Sequence, residues 1–328
     1  MANKFDVLGI GNAIVDILTH VEDDLLQSLE IPKGSMRLVD ELESDSIYKK
    51  LGQCIECSGG SAANTIAALA SLGSKTSYIG KIKDDQLGAV FKHDITSIGT
   101  EFNTPPATSG PSTAHCLVLV SPDAERTMCT YLGACGQLNE NDIDEDMVRA
   151  SNIIYLDGYL WDPEPAKAAF RKAINIAKEA GNKVAFTLSD SFCVDRHRNE
   201  FLHLAKNDID ILFANEDEIK ILYGTDDLDQ AVKMAQSDCE IAAITCSAKG
   251  CIVTNKDNII AVEGRTVPMV KDTTGAGDAF AAGFLHGISQ GKSLAECGAL
   301  GNLIASEVIA HLGARLDINL KSFVEENT

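Results

Sequence analysis

Apolar positions along this chain fall into two rhythms: short runs of β-branched and aliphatic residues, and longer segments whose apolar residues return every three or four positions. The two alternate most regularly beyond Gln137. Strands are predicted at Ile153 to Leu160, Val184 to Leu188, Ile209 to Ala214 and Ile241 to Thr245. Between them the spacing predicts helices over Pro165 to Ala180, with Phe170, Ile174 and Ile176 inward, then Cys193 to Ala205, Glu216 to Tyr223 and Asp226 to Ser237. Strand-helix alternation of this kind implies right-handed crossovers. The predicted fold class is therefore α/β, a central mostly parallel sheet flanked by helices on both faces. In such sheets ligands bind beyond the carboxyl ends of the strands.

The N-terminal half is less regular. Phe5 to Ile10 reads as a buried strand, Ala62 to Leu72 as a helix ending at Gly73, Thr76 to Lys81 as a strand and Asp84 to Ile98 as an amphipathic helix. Leu87, Val90, Phe91, Ile95 and Ile98 form that helix's inner face. Ala114 to Val120 and Arg126 to Tyr131 read as a hairpin around the turn Ser121-Pro122-Asp123-Ala124. Val21 to Gly52 is charged and irregular, with a turn at Ile31 to Ser35 before the short apolar run Met36 to Val39. Two layers are expected: an α/β core from 1–16, 46–105 and 135–328, and a small β lid from 17–45 with 106–134. A hairpin at Cys251 to Val267 and a helix from Leu294 to Leu312 close the chain.

Composition narrows the function classes. A chain of 328 residues with 45% hydrophobic content can bury a large core. The formal net charge of −20 argues against nucleic-acid or anionic-membrane partners, which need a basic face. The ten cysteines are too sparse for a disulfide scaffold, and the one Cys-x-x-Cys, at Cys54 and Cys57, has no second pair at zinc-binding spacing. No run reaches the ~18 apolar residues of a membrane span, and Met1 to His20 lacks a cleavage site, so a cytoplasmic location is expected.

Six features carry candidate chemistry. Lys271-Asp272-Thr273-Thr274-Gly275-Ala276-Gly277-Asp278 is a small-residue turn opening into a helix, which aims unpaired N–H groups at one point and makes an anion site. Asp278 in that site is either an ordinary first-turn helix acid or a base acting beside a phosphate. Cys57-Ser58-Gly59-Gly60-Ser61-Ala62-Ala63-Asn64 opens the other small-residue helix, where paired glycines let a ligand touch backbone and Asn64 can reach a hydroxyl. Asp16, read as an acid at the end of a buried strand, can hold a pair of hydroxyls or cap a turn. Asn215-Glu216-Asp217-Glu218 follows a strand, so Asn215 and Glu218 can meet the water shell of Mg²⁺ or simply start a helix. Thr245 to Gly250 ends the next strand in a turn able to carry a nucleotide, and Arg126, near the hairpin turn, can swing onto a phosphate. Gly9-Ile10-Gly11 lacks the third glycine of a dinucleotide fingerprint, and Gly287 to Ser293 is one residue short of a Walker A loop and follows a helix.

Taken jointly, Gly59-Gly60-Ser61-Ala62-Ala63-Asn64 and Asp272-Thr273-Thr274-Gly275-Ala276-Gly277-Asp278 resemble the paired motifs of the ribokinase-like (PfkB-type) family of sugar and nucleoside kinases. The resemblance covers essentially the whole chain and is most like the adenosine kinases, through Thr187 to Phe192, Tyr155 to Leu160 and Arg126. Departures from them are Thr274, where animal enzymes tend to have Asn, and Gly34-Ser35-Met36 in place of a polar lid contact. The resemblance implies an ATP-dependent phosphotransferase acting on a hydroxymethyl group, adenosine 5′-OH above all, with a fructokinase or other sugar kinase as the alternative and a non-catalytic scaffold further off. By the same resemblance Asp278 is the base, Gly275, Ala276 and Gly277 the anion hole, and Arg126 a lid arginine. Asn12, Asp16, Met36, Gly59, Gly60, Ser61, Asn64, Tyr159 and Thr274 would meet the substrate, with Tyr159 or Leu160 near a purine. Asn215, Thr245, Ser247, Gly250 and Asn302 would meet ATP, and Asn215 with Glu218 would hold Mg²⁺ through water. A small-molecule substrate and a monomer or homodimer complete the expectation.

Overall fold

In a computed structural model the described residues are 3–123 and 125–328. Ala124, in the predicted hairpin turn, and residues 1–2 lie outside them. Fourteen strands are present among the described residues: β1 (Phe5–Ile10), β2 (Ile14–His20), β3 (Met36–Leu38), β4 (Ile55–Gly59), β5 (Thr76–Ile79), β6 (Glu101–Phe102), β7 (Ala114–Val120), β8 (Arg126–Tyr131), β9 (Ser151–Asp157), β10 (Lys183–Thr187), β11 (Ile211–Asn215), β12 (Ile241–Thr245), β13 (Gly250–Asn255) and β14 (Ile259–Glu263). Nine form one sheet in the order β14-β13-β12-β11-β10-β9-β1-β5-β6. From β12 to β6 every pairing is parallel, whereas β12 with β13 and β13 with β14 pair antiparallel at the edge.

Both faces of this sheet are buried. Leu8, Ile154, Leu156, Phe186 and Leu212 point into a core closed by the helices Glu164–Ala180, Ser191–Asn207, Glu216–Tyr223 and Leu228–Asp238. Val7, Ile153, Tyr155, Ala185 and Phe213 point the other way, under Ser61–Ser71, Gln86–Ser97, Ala276–Ser289 and Leu294–Val308. Two buried faces explain why the strands read as unbroken apolar runs rather than alternating ones.

The second sheet has the order β3-β8-β7-β2-β4. It is wider than the lid expected from the sequence. It begins at Ile14, and it takes β4 from the 46–105 stretch assigned to the core. Asp16 therefore lies in the middle of β2, opposite Cys57 of β4 and Cys116 of β7, not at the end of a core strand. The stretch 21–52 is ordered too, with helices Asp23–Ser28 and Glu41–Tyr48, the latter capped by the Asp40 carboxylate. Strand β6 and the helix Leu320–Asn327 carry no prediction, and the Leu294 helix stops at Val308. Ile98, assigned to the inner face, is 39% exposed one residue past its helix. All ten cysteines are free thiols. Among the described residues no helix is long and apolar enough to cross a membrane.

Candidate active site

The helix Ala276–Ser289 begins at Gly275, whose φ of +76° only glycine adopts without strain. A side chain there would also press on Ala314, 2.6 Å from a Cβ. Among the described residues no side chain caps this end. The Ala276 N–H donates to the Thr273 carbonyl at 3.2 Å, which takes it out of the predicted trio of anion donors. Those of Gly275 and Gly277 meet no acceptor among the described residues, so two backbone donors and the positive helix end remain for an anion.

Asp278, in the first turn, is held by the other small-residue helix. Its Oδ1 accepts from Ser61 Oγ at 2.6 Å, and its Oδ2 accepts from Asn64 Nδ2 at 3.2 Å. Its carbonyl accepts from Thr65 Oγ1 at 3.2 Å. Burial pushes the carboxyl up to about 6, against the Ser61 and Asn64 hydrogen bonds and the charge of Arg315, which favour the ionised form. The two motifs, some 200 residues apart, thus meet at one carboxylate.

Asp16 faces the same cleft from β2. A Cβ on Gly59 would stand 2.4 Å from Asp16 Oδ2, so the glycine is what admits the carboxylate. Gly60 has a φ of +97°, and a Cβ there would meet the Asn12 carbonyl at 2.3 Å. Asp16 is likewise raised to about 6 by burial, with Arg315 and Arg126 opposing and Asp278 reinforcing the rise. Asn12 is 4% exposed and its Oδ1 has no partner among the described residues, an acceptor left open at the cleft.

Two residues the sequence did not single out complete the cluster. Asp157, fully buried at the end of β9, accepts from the N–H of Ala62 and of Leu160, each at 3.2 Å, and so fixes the start of the Ser61 helix. Burial raises it to about 7. Arg315, in the loop after the Leu294 helix, donates from Nε to Asn64 Oδ1 at 2.9 Å and from Nη1 to Ser58 Oγ. No periodicity or motif marks Arg315, and the stretch Tyr155 to Leu160 gave Asp157 no role of its own.

Arg126 is neither solvated nor free. It pairs with Asp272 at 3.1 Å, both side chains nearly buried, and Asp272 also accepts from the N–H groups of Thr274 and Gly313. The ion pair ties the small sheet to the loop before Gly275. Tyr159 donates its N–H to Ser189 Oγ at 3.2 Å and its hydroxyl to the Ser189 carbonyl at 3.3 Å, while Leu160 is sealed in the core and offers no wall to a ligand. Met36 lies half exposed on β3.

Asn215 and Glu218 close on each other as a helix capping box. Asn215 Oδ1 accepts from the N–H of Asp217 and Glu218, and the Glu218 carboxylate accepts from Asn215 N and Nδ2. Burial raises Glu218 to about 7. Asn215 pairs with Thr245 across β11 and β12, and Gly250 with Glu263 across β13 and β14, so Thr245, Ser247 and Gly250 share this end of the sheet. Gly250 is required by packing, since a Cβ would strike the Val262 carbonyl at 2.1 Å. Asn302 donates its amide to the carbonyls of Val262 and Glu263, bracing the edge strand.

Known proteins share this fold. The solved adenosine kinase of Sinorhizobium meliloti is 46% identical, covers 99% of this chain and 100% of its own, and superposes with a TM-score of 0.92. A probable sugar kinase of Rhizobium etli CFN 42 is 44% identical over 99% of both chains, also with a TM-score of 0.92. An uncharacterized sugar kinase of Archaeoglobus fulgidus is 30% identical over 247 residues, 75% of this chain and 96% of that one. Residues 39–320 match the pfkB family of carbohydrate kinases. With the ribokinase-like sheet, the glycine-opened helices and that match over most of its length, the chain belongs to the PfkB family of sugar and nucleoside kinases.

Proposed function

We propose that the protein transfers the γ-phosphoryl group of ATP to the 5′-hydroxymethyl group of adenosine, giving AMP, with Asp278 as general base. The observation that carries the base role is the position of Asp278. It is a carboxylate in the first turn of an uncapped helix, steadied by a hydroxyl and an amide and, among the described residues, paired with no cation. A charge of that sign repels the anion the helix end attracts, unless its task is the proton of the acceptor.

The acceptor hydroxyl lies between an Asp278 oxygen and the γ-phosphorus. As the new O–P bond forms and the bond to ADP breaks, the hydroxyl turns acidic and its proton passes to Asp278. The N–H groups of Gly275 and Gly277, with the helix dipole, cover the charge of the transferring group. Arg126 adds a guanidinium from the small sheet, which acts as a lid, once its bond to Asp272 opens. Asp16, Asn12, the Gly59-Gly60 backbone, Ser61 and Asn64 hold the ribose hydroxyls. Met36, Tyr159 and Thr274 line the approach of the base. Asn215, Thr245, Ser247, Gly250 and Asn302 ring the nucleotide end.

Magnesium fits this site in a limited way. Among the described residues no cluster of three His, Cys, Asp or Glu could cage a metal. Glu218 is buried with no cation beside it among the described residues, and each of its oxygens, already accepting one hydrogen bond, keeps a lone pair for a metal-bound water. Asn215 and Glu218 would hold the hydrated ion, whose charge would offset that of the phosphates.

Adenosine is favoured over a free sugar by the 46% identity to an adenosine kinase along the whole chain. A sugar kinase is the second reading, favoured by the equally superposable probable sugar kinase at 44%. Phosphate transfer from ATP to adenosine, inosine, ribose and fructose, measured side by side, decides between them. Adenosine is expected to turn over and the free sugars to be rejected; fructose turnover with inert adenosine overturns the nucleoside reading. Asp278→Asn is expected to lower kcat by about 10²–10⁴ with little change in acceptor KM, and a loss within tenfold removes Asp278 from the role of base.

A further inference from the structure

We propose that Arg315 is the positioning residue of the base: its guanidinium locks the Asn64 amide with the NH₂ toward Asp278 and holds a positive charge between the two acids of the cleft. The inference rests on Asp278 being the base and adds a residue that touches neither substrate nor phosphate in the mechanism above.

The argument begins with the amide. An Asn side chain can present its oxygen or its nitrogen to a neighbour, and the surroundings choose. A guanidinium has donors only, so Arg315 Nε, at 2.9 Å, requires the Asn64 oxygen on its side. The NH₂ is then turned to Asp278 Oδ2 at 3.2 Å. With Arg315 removed, Asp278 alone orients the amide, so the donor to the base is held less firmly and the positive charge that favours its ionised form is lost.

Arg315 is itself aimed. Nη1 donates to Ser58 Oγ, and the Ser58 N–H is fixed by Asp94 Oδ2 at 2.9 Å. A single relay therefore runs Asp94, Ser58, Arg315, Asn64, Asp278. Among the described residues no carboxylate lies within ion-pair distance of the guanidinium, and its Nη2 is buried without a partner. Burying a cation without a paired anion is unfavourable, so ordinary structural economy does not account for it. The charged and titratable groups around it are Asp16 of β2, Cys57 of β4, Tyr78 of β5, Asp94 of the Gln86–Ser97 helix and Asp278 of the Ala276–Ser289 helix. Arg126 of β8 and Asp157 of β9 complete the field at Asp16 and Asp278. Arg315 favours the ionised form of both Asp16 and Asp278, so its loss raises both.

The test is the pH profile of kcat for ATP with whichever acceptor of the four turns over fastest, in the parent, Arg315→Gln, Arg315→Lys and Ser58→Ala. Arg315→Gln is expected to move the acid limb of kcat upward by about one pH unit, with a loss at pH 6 that shrinks at pH 8.5. Lysine keeps the charge and is expected to recover part of the shift; Ser58→Ala, which frees the guanidinium without removing it, gives a smaller shift in the same direction. A pH-independent loss, or an unmoved limb, in Arg315→Gln overturns the proposal. Should that variant fail to fold, an unmoved limb in both of the others overturns it. Asp278→Asn separates the two ideas: if it stays active the base assignment fails, whereas an inactive Asp278→Asn beside an unmoved Arg315→Gln profile sinks only the relay.

Discussion

Asp16 is a carboxylate with no hydrogen-bond donor among the described residues, set in a strand between Val15 and Ile17. Its raised pKa means the folded protein binds that proton more tightly than the unfolded chain does. Stability from this group is therefore lost as pH rises from about 4 to about 6, and the deficit persists above. Asp16→Asn removes the ionisation. The variant is expected to be more stable than the parent at pH 8, by about 1–3 kcal/mol, and equal to it near pH 4. Urea unfolding at both pH values checks this, and a less stable variant at pH 8 contradicts it. The same substitution should raise the acceptor KM, because the neutral amide offers a ligand diol one acceptor oxygen in place of two charged ones.

At the scale of elements, the turn between β4 and the Ser61 helix depends on Gly60. Its backbone lies where side chains are strained, and a Cβ would collide with the Asn12 carbonyl. Gly60→Ala is expected to cost at least about 2 kcal/mol, while Gly52→Ala, with open space around it, should be near neutral. Thermal unfolding of the pair distinguishes a site-specific cost from a general intolerance of alanine. The core strands were legible because burial on both faces makes each of them a continuous apolar run. Strand β2 was not, because Asp16 interrupts its pattern and only Gly11-Asn12-Ala13 separates it from β1. The paired motifs were legible because small residues before a helix have few other uses. Arg315 was not: a lone arginine in a loop has no spacing to betray it, and its partner Asn64 is 251 positions away. Asp157 was read only as part of a strand end, because its partners at Ala62 and Leu160 appear only on folding.

For the molecule as a whole, the net charge of −20 sets the field in which an anionic nucleotide arrives. The local donors of the helix end must act against a repulsive background. Added salt should screen that background, so kcat/KM for ATP is expected to rise about twofold between 10 and 150 mM ionic strength at constant free magnesium. A fall over the same range would mean that a local basic patch, rather than the global charge, governs encounter. The crossing between the two sheets has a further consequence. Asp278 stands on the large sheet's side, Asp16 on the small one, and Gly11 to Ala13 is the short strap joining β1 to β2. A substrate gripped by Asp16 and presented to Asp278 is therefore a mechanical bridge between two bodies. Recruiting it and drawing those bodies together are one event, and the fit of the acceptor becomes the force that sets their spacing.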